Sequence, residues 1–272
     1  MLIKLLSVVA LGASAVFGSA TPTLTTRDLD TNPPTSVLEA SYHPIPQVSA
    51  RSLTNAKRLA SGLSLKPPLR RSHIGLARST PSGTPVAYTQ GYIEVKDEGG
   101  QSLGFVSTTQ NSFGEWGYTS DLTKRLLVSI DLEDAKTGTA DIQTVNGPDV
   151  DLPFFGGMKG YAATSADINV GSLNYIYLGG TTQTPPNSPP VDGSNSFTKA
   201  TGIAEKIESA IFAYNEVTSI ITLQWINSDL SSPATYLAYV PSSSGFILTG
   251  DLAVFTSNFG AVVLVTFTFV PA

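Results

Sequence analysis

Residues 125–132 read RLLVSIDL, and this stretch decides the fold class. Apolar side chains stand at positions 126, 128, 130 and 132, whereas positions 125, 129 and 131 carry polar ones. An alternation with a period of two places successive side chains on opposite faces of an extended chain, as in a half-buried strand. We therefore predict a β-strand here, with one face in the core and the other in water.

The same alternation recurs on both sides of this stretch. Clusters of Gly, Pro, Asn and Asp, which favour turns, separate the runs. The predicted strands cover residues 92–96 and 103–107, which form a hairpin, and then 173–178, 219–226, 235–240 and 262–270. Short strands at this spacing predict an all-β domain, an antiparallel β-sandwich of jelly-roll-like type.

Residues 202–214 fit two periodicities. Isoleucines at 203, 207 and 211 stand at helical spacing, but the run also fits a strand that carries Glu208 on the same face as Phe212 and Tyr214. Residues 215–218 read as a turn into the strong run at 219. An antiparallel hairpin is therefore the favoured interpretation.

Residues 1–71 have the sequence features of segments that direct a protein to secretion and are then removed. Lys4 precedes an apolar run, and small residues end at Ala20, the pattern of a secretory signal peptide. Residues 21–71 are rich in Pro, Ser, Thr and basic side chains and end in Arg70-Arg71, a dibasic site of the kind that kexin-like proteases cut. We predict a signal peptide at 1–20, a disordered pro-segment at 21–71, a flexible linker at 72–89 and the β-sandwich at 90–272, secreted to the cell exterior.

Charge divides unevenly at the predicted cut. Residues 72–272 hold eight basic and eighteen acidic side chains, whereas residues 21–71 hold seven basic and three acidic ones. An acidic surface repels phosphate backbones, so nucleic acid is not expected as a partner. The basic pro-segment either masks the acidic domain or assists its folding, or it is a spacer exposed to its protease, and composition favours the spacer.

Cysteine is absent, and His43 and His73 both precede residue 90. Cysteine nucleophiles, Ser-His triads and metal sites built on thiolate or imidazole are therefore excluded from the predicted domain. No cofactor and no metal site is predicted. After the signal peptide, no run is long enough to span a bilayer, and the alternation in 262–270 favours a final core strand over a lipid-anchor tail.

Several short segments carry a resemblance. They read LTNAKRLASGL (53–63), PPLRR (67–71), SFGEWG (112–117), NYIYL (174–178), ESAIF (208–212) and QWIN (224–227). Together they resemble a family of secreted proteins of mushroom-forming fungi with no assigned activity, which implies location and architecture but no chemistry. More loosely, the hairpin-rich acidic domain resembles the sandwich of concanavalin-type lectins and glucanases.

Catalysis without Cys or His has to use carboxylates. Glu208 lies in an apolar run, and Glu115 lies beside Trp116, so both are candidates for the pair of acids that glycoside hydrolysis requires across one cleft. Gln224 falls opposite Glu208 in the predicted hairpin, which allows an acid peptidase of the glutamic type instead. The alternative for each carboxylate is an ordinary rim position satisfied by backbone donors.

Binding is the other class of function. Aromatic rings that could stack on sugars are Trp116, Tyr118, Tyr175 and Tyr177, and Trp116 is expected on a surface loop because glycines flank it. Their alternative is a place in the core. Binding of a sugar or cell-wall glycan is the first interpretation, a carboxylate hydrolase the second and a structural surface protein the third.

Overall fold

The computed structural model describes residues 29–41 and 88–272. In chain order its elements are α1 (Thr35–Ser41), β1 (Tyr88–Asp97), β2 (Ser102–Gln110), β3 (Trp116–Thr119), a 3₁₀ turn (Leu122–Lys124), β4 (Leu127–Asp131), α2 (Leu132–Thr137), β5 (Ile142–Thr144), β6 (Phe154–Lys159), β7 (Tyr175–Thr181), β8 (Val191–Asp192), α3 (Ser196–Thr201), β9 (Lys206–Glu208), β10 (Phe212–Tyr214), β11 (Ile220–Leu223), β12 (Tyr236–Val240), β13 (Gly245–Thr249), α4 (Leu252–Phe259) and β14 (Val263–Pro271). The predicted signal peptide and the processing residues Ala20, Arg70 and Arg71 lie outside the described residues.

The strands form one antiparallel sheet that closes on itself. Its order runs β14-β12-β13-β7-β6-β5-β4-β1, and β1 pairs again with β14. β1 pairs with β14 along one edge and with two strands along the other, where its first half pairs with β4 and its second half with β2. The prediction of an all-β, sandwich-like antiparallel domain is confirmed.

The stretch 125–132 contains β4, but the structure departs from the predicted alternation in two respects. Leu126, Val128 and Ile130 are fully buried, as predicted. Leu132 does not continue the strand but begins α2. The opposite face of β4 is not exposed to solvent, because Ser129 and Asp131 are also buried. The Asp131 carboxylate accepts the backbone N–H groups at the start of α2, so this polar side chain is buried as a helix cap.

Alternation along β7 divides the buried side chains into two cores. Every residue of β7 is buried. Ile176 and Leu178 face the inner core, which the sheet encloses, whereas Tyr175 and Tyr177 face the outer core. The inner core also contains Trp116, Phe155, Trp225, Phe246 and Phe267. The outer core also contains Phe197, Ile207, Ile247, Phe255 and Phe259, contributed in part by α3 and α4.

The run 202–214 is a hairpin only in its second half. β10 pairs with β11 as predicted, with Phe212 opposite Leu223. The predicted continuous strand is wrong, because residues 209–211 interrupt it and β9 pairs instead with β6 and β8. The chain therefore changes partner between Glu208 and Phe212.

The final run forms a core strand, as predicted. Val265, Phe267 and Phe269 of β14 are buried, and the strand pairs with β1, β11 and β12. Of the helices in residues 29–41 and 88–272, none has the length and apolarity that a membrane crossing requires.

Residues 29–41, hereafter the N-terminal segment, are ordered against the domain. Thr31, Asn32 and Pro33 are buried. The Leu29 N–H donates to the Asn258 carbonyl at 2.9 Å, next to the outer core. Composition suggested a spacer since it cannot register docking onto a surface formed elsewhere in the chain.

Candidate active site

Glu115 lies in the short connection between β2 and β3. The residue pairs with Gly179 of β7 through an isolated bridge, so its backbone lies beside the strand that carries the two buried tyrosines. Trp116 faces the inner core, and alternation directs Glu115 to the other side of the sheet. The Glu115 side chain is completely buried.

Asn111 fixes the Glu115 carboxyl group. Its side-chain oxygen accepts the backbone N–H groups of Phe113 and Glu115 at 2.9 and 3.0 Å. Its amide nitrogen donates to Glu115 Oε2 at 2.7 Å and to the Ser243 carbonyl at 2.8 Å. All four positions of this amide are in use, so Asn111 holds the turn and the carboxyl group in one orientation.

Of the two oxygens of the Glu115 carboxyl group, Oε2 lies against Gly245 and Oε1 has no hydrogen-bond partner among the described residues. A Cβ at Gly245 would lie 2.3 Å from Glu115 Oε2, so only glycine admits the carboxyl group here. Oε1 is buried and accepts no hydrogen bond from the described residues. Burial raises the pKa of Glu115 to about 7, against the opposing effects of Asn111 and Asn32.

Tyr175 and Tyr177 form a pair of hydroxyl donors in the outer core. Their oxygens are 3.3 Å apart and accept the backbone N–H groups of Ala162 at 3.2 Å and Tyr161 at 3.1 Å, respectively. Each phenol proton is thereby free for another acceptor. Burial raises the pKa of both phenols, and the charge of Glu115 adds to this rise, so both remain donors.

Both phenols donate to a single carbonyl, that of Thr31 in the N-terminal segment. The Tyr175 bond measures 2.5 Å, and Tyr177 donates to the same oxygen. The next residue, Asn32, approaches Glu115 and opposes the rise of its pKa, although the Asn32 amide atoms lack hydrogen bonds of ordinary geometry. Thr31 therefore contacts the phenol pair, and the side chain of the next residue approaches the carboxyl group.

A cavity of about 420 Å³ adjoins this contact. Residues 29–35 form one side, and Phe113, Ser243 and Phe259 contribute to the other. Glu115 lies one layer behind the cavity, where Asn111 connects it to the Ser243 carbonyl. We use the name Glu115 cleft for Glu115, Asn111, the two tyrosines and this cavity.

Glu208 lies on the opposite face of the sheet. Ile207, its neighbour in β9, faces the outer core, so alternation directs Glu208 to the inner side, and it is 3% exposed. Its Oε2 accepts the backbone N–H of Ile226 at 3.2 Å, and Oε1 has no partner among the described residues. Burial raises its pKa to about 9.

The structure separates the two predicted acids. Because Glu115 and Glu208 lie on different faces, they do not flank one cleft as a glycosidase pair would. Gln224 pairs with Ile211 through its backbone, but no hydrogen bond joins its side chain to Glu208 within the described part of the chain. The predicted Glu208–Gln224 dyad is therefore not assembled.

Of the four aromatic residues predicted to stack on sugars, three are buried and one is half-buried. Trp116 is wrongly predicted on a surface loop: it lies in β3, is 1% exposed and packs edge-on against Phe155 with ring centroids 4.7 Å apart. The rings of Tyr175 and Tyr177 are fully buried. Tyr118 is half-buried against Tyr239. Trp116, Tyr175 and Tyr177 therefore offer no open ring face to a sugar in this structure, whereas Tyr118 is only partly covered.

Residues 29–41 and 88–272 contain no group of three or more His, Asp or Glu side chains placed to hold a metal ion. Comparison of the chain with protein-family models, with curated proteins and with solved structures finds no match in any of the three. The resemblance to secreted fungal proteins therefore stays a prediction, and function has to be inferred from the geometry of the site.

Sequence reasoning found Glu115, Tyr175 and Tyr177 but missed how they act together. It treated the tyrosines as stacking surfaces, whereas the structure uses their hydroxyl groups. Asn111 was missed, although an Asn that opens a glycine-containing turn is a known signal for side-chain to backbone hydrogen bonds. No local signal marks Thr31 or Asn32, because their partners lie far away along the chain.

Proposed function

We propose that the chain is the precursor of an extracellular, carboxylate-dependent hydrolase of polypeptides, with Glu115 as its acid–base group. The observation that supports this most directly is that one backbone carbonyl, that of Thr31, accepts two phenol hydroxyls beside a buried carboxyl group. Amide hydrolysis requires a carbonyl polarised by fixed donors, next to a group that can take and return a proton.

The proposed hydrolysis uses Glu115, Tyr175, Tyr177 and a water molecule. In its ionised form, Glu115 takes a proton from a water molecule while the water oxygen bonds to the carbonyl carbon. The hydroxyls of Tyr175 and Tyr177 stabilise the negative charge on the carbonyl oxygen. The carboxylic acid then gives its proton to the leaving nitrogen as the C–N bond breaks, which yields a carboxylic acid and an amine and restores the Glu115 carboxylate.

This proposal fits the geometry better than the other two candidates. Sugar binding loses its stacking surfaces because the rings concerned are buried or half-buried. A glycosidase lacks its second acid because Glu208 faces the inner core. In a purely structural protein the same carbonyl would serve only to satisfy two buried phenol hydroxyls, and such a protein differs experimentally because it hydrolyses nothing.

The test uses the full-length protein before and after cutting by a kexin-type protease at Arg70-Arg71. A mixture of quenched fluorescent peptides serves as substrate, from acid to neutral pH. We expect hydrolysis after cutting, and we expect Glu115→Gln to reduce its rate by about 10²–10⁴-fold, the usual contribution of an acid–base group.

The matched control is Glu98→Gln, which removes one carboxylate from the exposed β1–β2 turn and should leave the rate unchanged. Circular dichroism establishes that both variants are folded. Loss of hydrolysis in Glu208→Gln with full activity in Glu115→Gln would transfer the role to the other carboxylate. Absence of hydrolysis by the cut protein at every pH would reject the proposed function.

A further inference from the structure

The N-terminal segment enters the Glu115 cleft from outside and leaves it again within a few residues. Thr31, Asn32 and Pro33 are buried, whereas Pro34 and Thr35 are exposed. The deepest contact is the Thr31 carbonyl on the two phenols. The chain bends at Thr31 and Asn32, and it is the backbone carbonyl of Thr31, not its side chain, that accepts the two phenol hydroxyls. A contact made through the backbone can be made by other polypeptides as well.

Residues 29–35 form one side of the cavity, but the domain itself holds the phenol pair and the Glu115 carboxyl group. The phenol oxygens are held by the backbone N–H groups of Tyr161 and Ala162. Glu115 is held by Asn111, which in turn donates to Ser243. All of these partners belong to the domain, so the donor pair and the carboxyl group keep their places when the segment leaves.

The segment also fits the cleft less well than a core element would. Both polar atoms of the Asn32 amide are buried without a hydrogen-bond partner among the described residues, and a cavity of about 420 Å³ lies alongside. A buried amide without partners costs free energy. Such a fit is typical of a ligand that exchanges with others.

The predicted processing site lies between the segment and the domain. Arg70-Arg71 falls after α1 and before β1 in the sequence, so a cut there removes the covalent connection. Afterwards no covalent bond connects residues 29–41 to the domain, and among the described contacts that remain are those to the two phenols and the bond from the Leu29 N–H to the Asn258 carbonyl.

We propose that residues 29–35 are an intramolecular peptide ligand that closes the Glu115 cleft, and that the cleft takes other polypeptides once these residues leave. One backbone carbonyl of the ligand binds the phenol pair, and the side chain of the next residue faces the carboxyl group. The peptide binding stands by itself, whereas its inhibitory effect rests on the proposed function.

The binding test uses full-length protein that has been cut at Arg70-Arg71, together with a fluorescent synthetic peptide of residues 29–41. We expect saturable exchange of this peptide into the cut protein, measured by fluorescence anisotropy. A peptide in which the Thr31 carbonyl is reduced to a methylene group should bind about tenfold more weakly or worse, because it cannot accept the two phenol hydroxyls. A Ser36→Ala peptide is the control, and its affinity should be unchanged because position 36 is exposed and lies outside residues 29–35.

A protein variant provides the reciprocal test. Tyr175→Phe/Tyr177→Phe removes both donors and should weaken the unmodified peptide by a similar factor, whereas Tyr118→Phe should not. If the double variant fails to fold, the reduced peptide still decides the matter with unaltered protein. Equal affinity of the reduced and unmodified peptides, or no saturable binding, would overturn the inference.

Hydrolysis separates this inference from the proposed function. Loss of hydrolysis in parallel with occupancy by the 29–41 peptide supports both. Undiminished hydrolysis with the peptide bound overturns the inhibitory effect and leaves the hydrolase in place. Saturable binding by a protein that hydrolyses nothing rejects the hydrolase, and the inhibitory effect with it, while peptide binding stands.

Discussion

Glu115 and Glu208 are both buried in the same sheet, but they lie on opposite faces of it. Each has one carboxyl oxygen without a partner among the described residues, and burial raises the pKa of each. They differ in what covers them. Glu208 accepts a hydrogen bond from the body of the domain, at Ile226, whereas Asn32 of the N-terminal segment lies over Glu115.

The comparison shows that a raised pKa does not by itself identify a working acid. By that measure Glu208 would be the stronger candidate, since its pKa is the higher of the two. Access decides between them, because a substrate can reach only the carboxyl group whose cover can leave. Three predictions about stability test the comparison.

The largest expected effect is on the pH dependence of unfolding. In the unfolded chain both carboxyls release their protons near pH 4.5, whereas in the folded protein Glu115 holds its proton to about pH 7 and Glu208 to about pH 9. The folded state therefore binds more protons between these values, and stability falls as pH rises. The loss is roughly 3 kcal/mol for Glu115 and several kcal/mol for Glu208.

Thermal unfolding followed from pH 4 to pH 9 checks this prediction. Glu115→Gln should flatten the curve below about pH 7, and Glu208→Gln should flatten it up to about pH 9. Glu98→Gln, on the exposed turn, controls for the loss of one negative charge. A curve that neither buried variant changes would contradict the difference in proton binding.

The second effect concerns the two amides beside Glu115. Asn111→Ala should destabilise the protein by about 2–3 kcal/mol, because it removes four hydrogen bonds and leaves Glu115 without its donor. Asn32→Ala should change stability by less than about 0.5 kcal/mol, since its amide has no hydrogen bond to lose. Denaturant unfolding measures both values. A larger cost at Asn32 than at Asn111 would mean that the segment, not the turn, supports the carboxyl group.

The smallest effect comes from two glycines, one near each acid. A Cβ at Gly157 would lie 2.6 Å from the Trp225 ring, whereas a Cβ at Gly245 would meet the Glu115 carboxyl oxygen. Alanine at either position should cost about 1–3 kcal/mol, and Gly157 should be the worse site because a ring buried in the inner core cannot move aside.

Gly138→Ala is the control for the glycine pair, because a Cβ at Gly138 meets nothing within 4 Å. Thermal unfolding ranks the three variants. Gly245→Ala should also increase hydrogen exchange in residues 29–35, as the displaced carboxyl group pushes against Asn32. Exchange that rises equally in Gly157→Ala would show that the segment responds to general destabilisation.

The strands were predictable from sequence because alternation reports directly on burial. Which face of each strand points inward was harder to predict. In β7 both faces are buried, so no polar face shows which direction is outward. Trp116 was misplaced for a related reason: the glycines around it mark close backbone approach, as at Gly117, where a Cβ would meet the Ser244 carbonyl at 2.4 Å. Local sequence identified both buried acids, but only the tertiary structure shows that Thr31 and Asn32 cover one of them.

The pairing of β1 with β14 also determines when the domain can be completed during biosynthesis. β14 follows every other strand in the chain, and its seven paired positions with β1 close the sheet around the inner core. During synthesis part of the apolar surface of the earlier strands stays uncovered until β14 has been made. Shortening the chain before β14 would therefore expose the edges of β1 and β12 together and favour aggregation over folding.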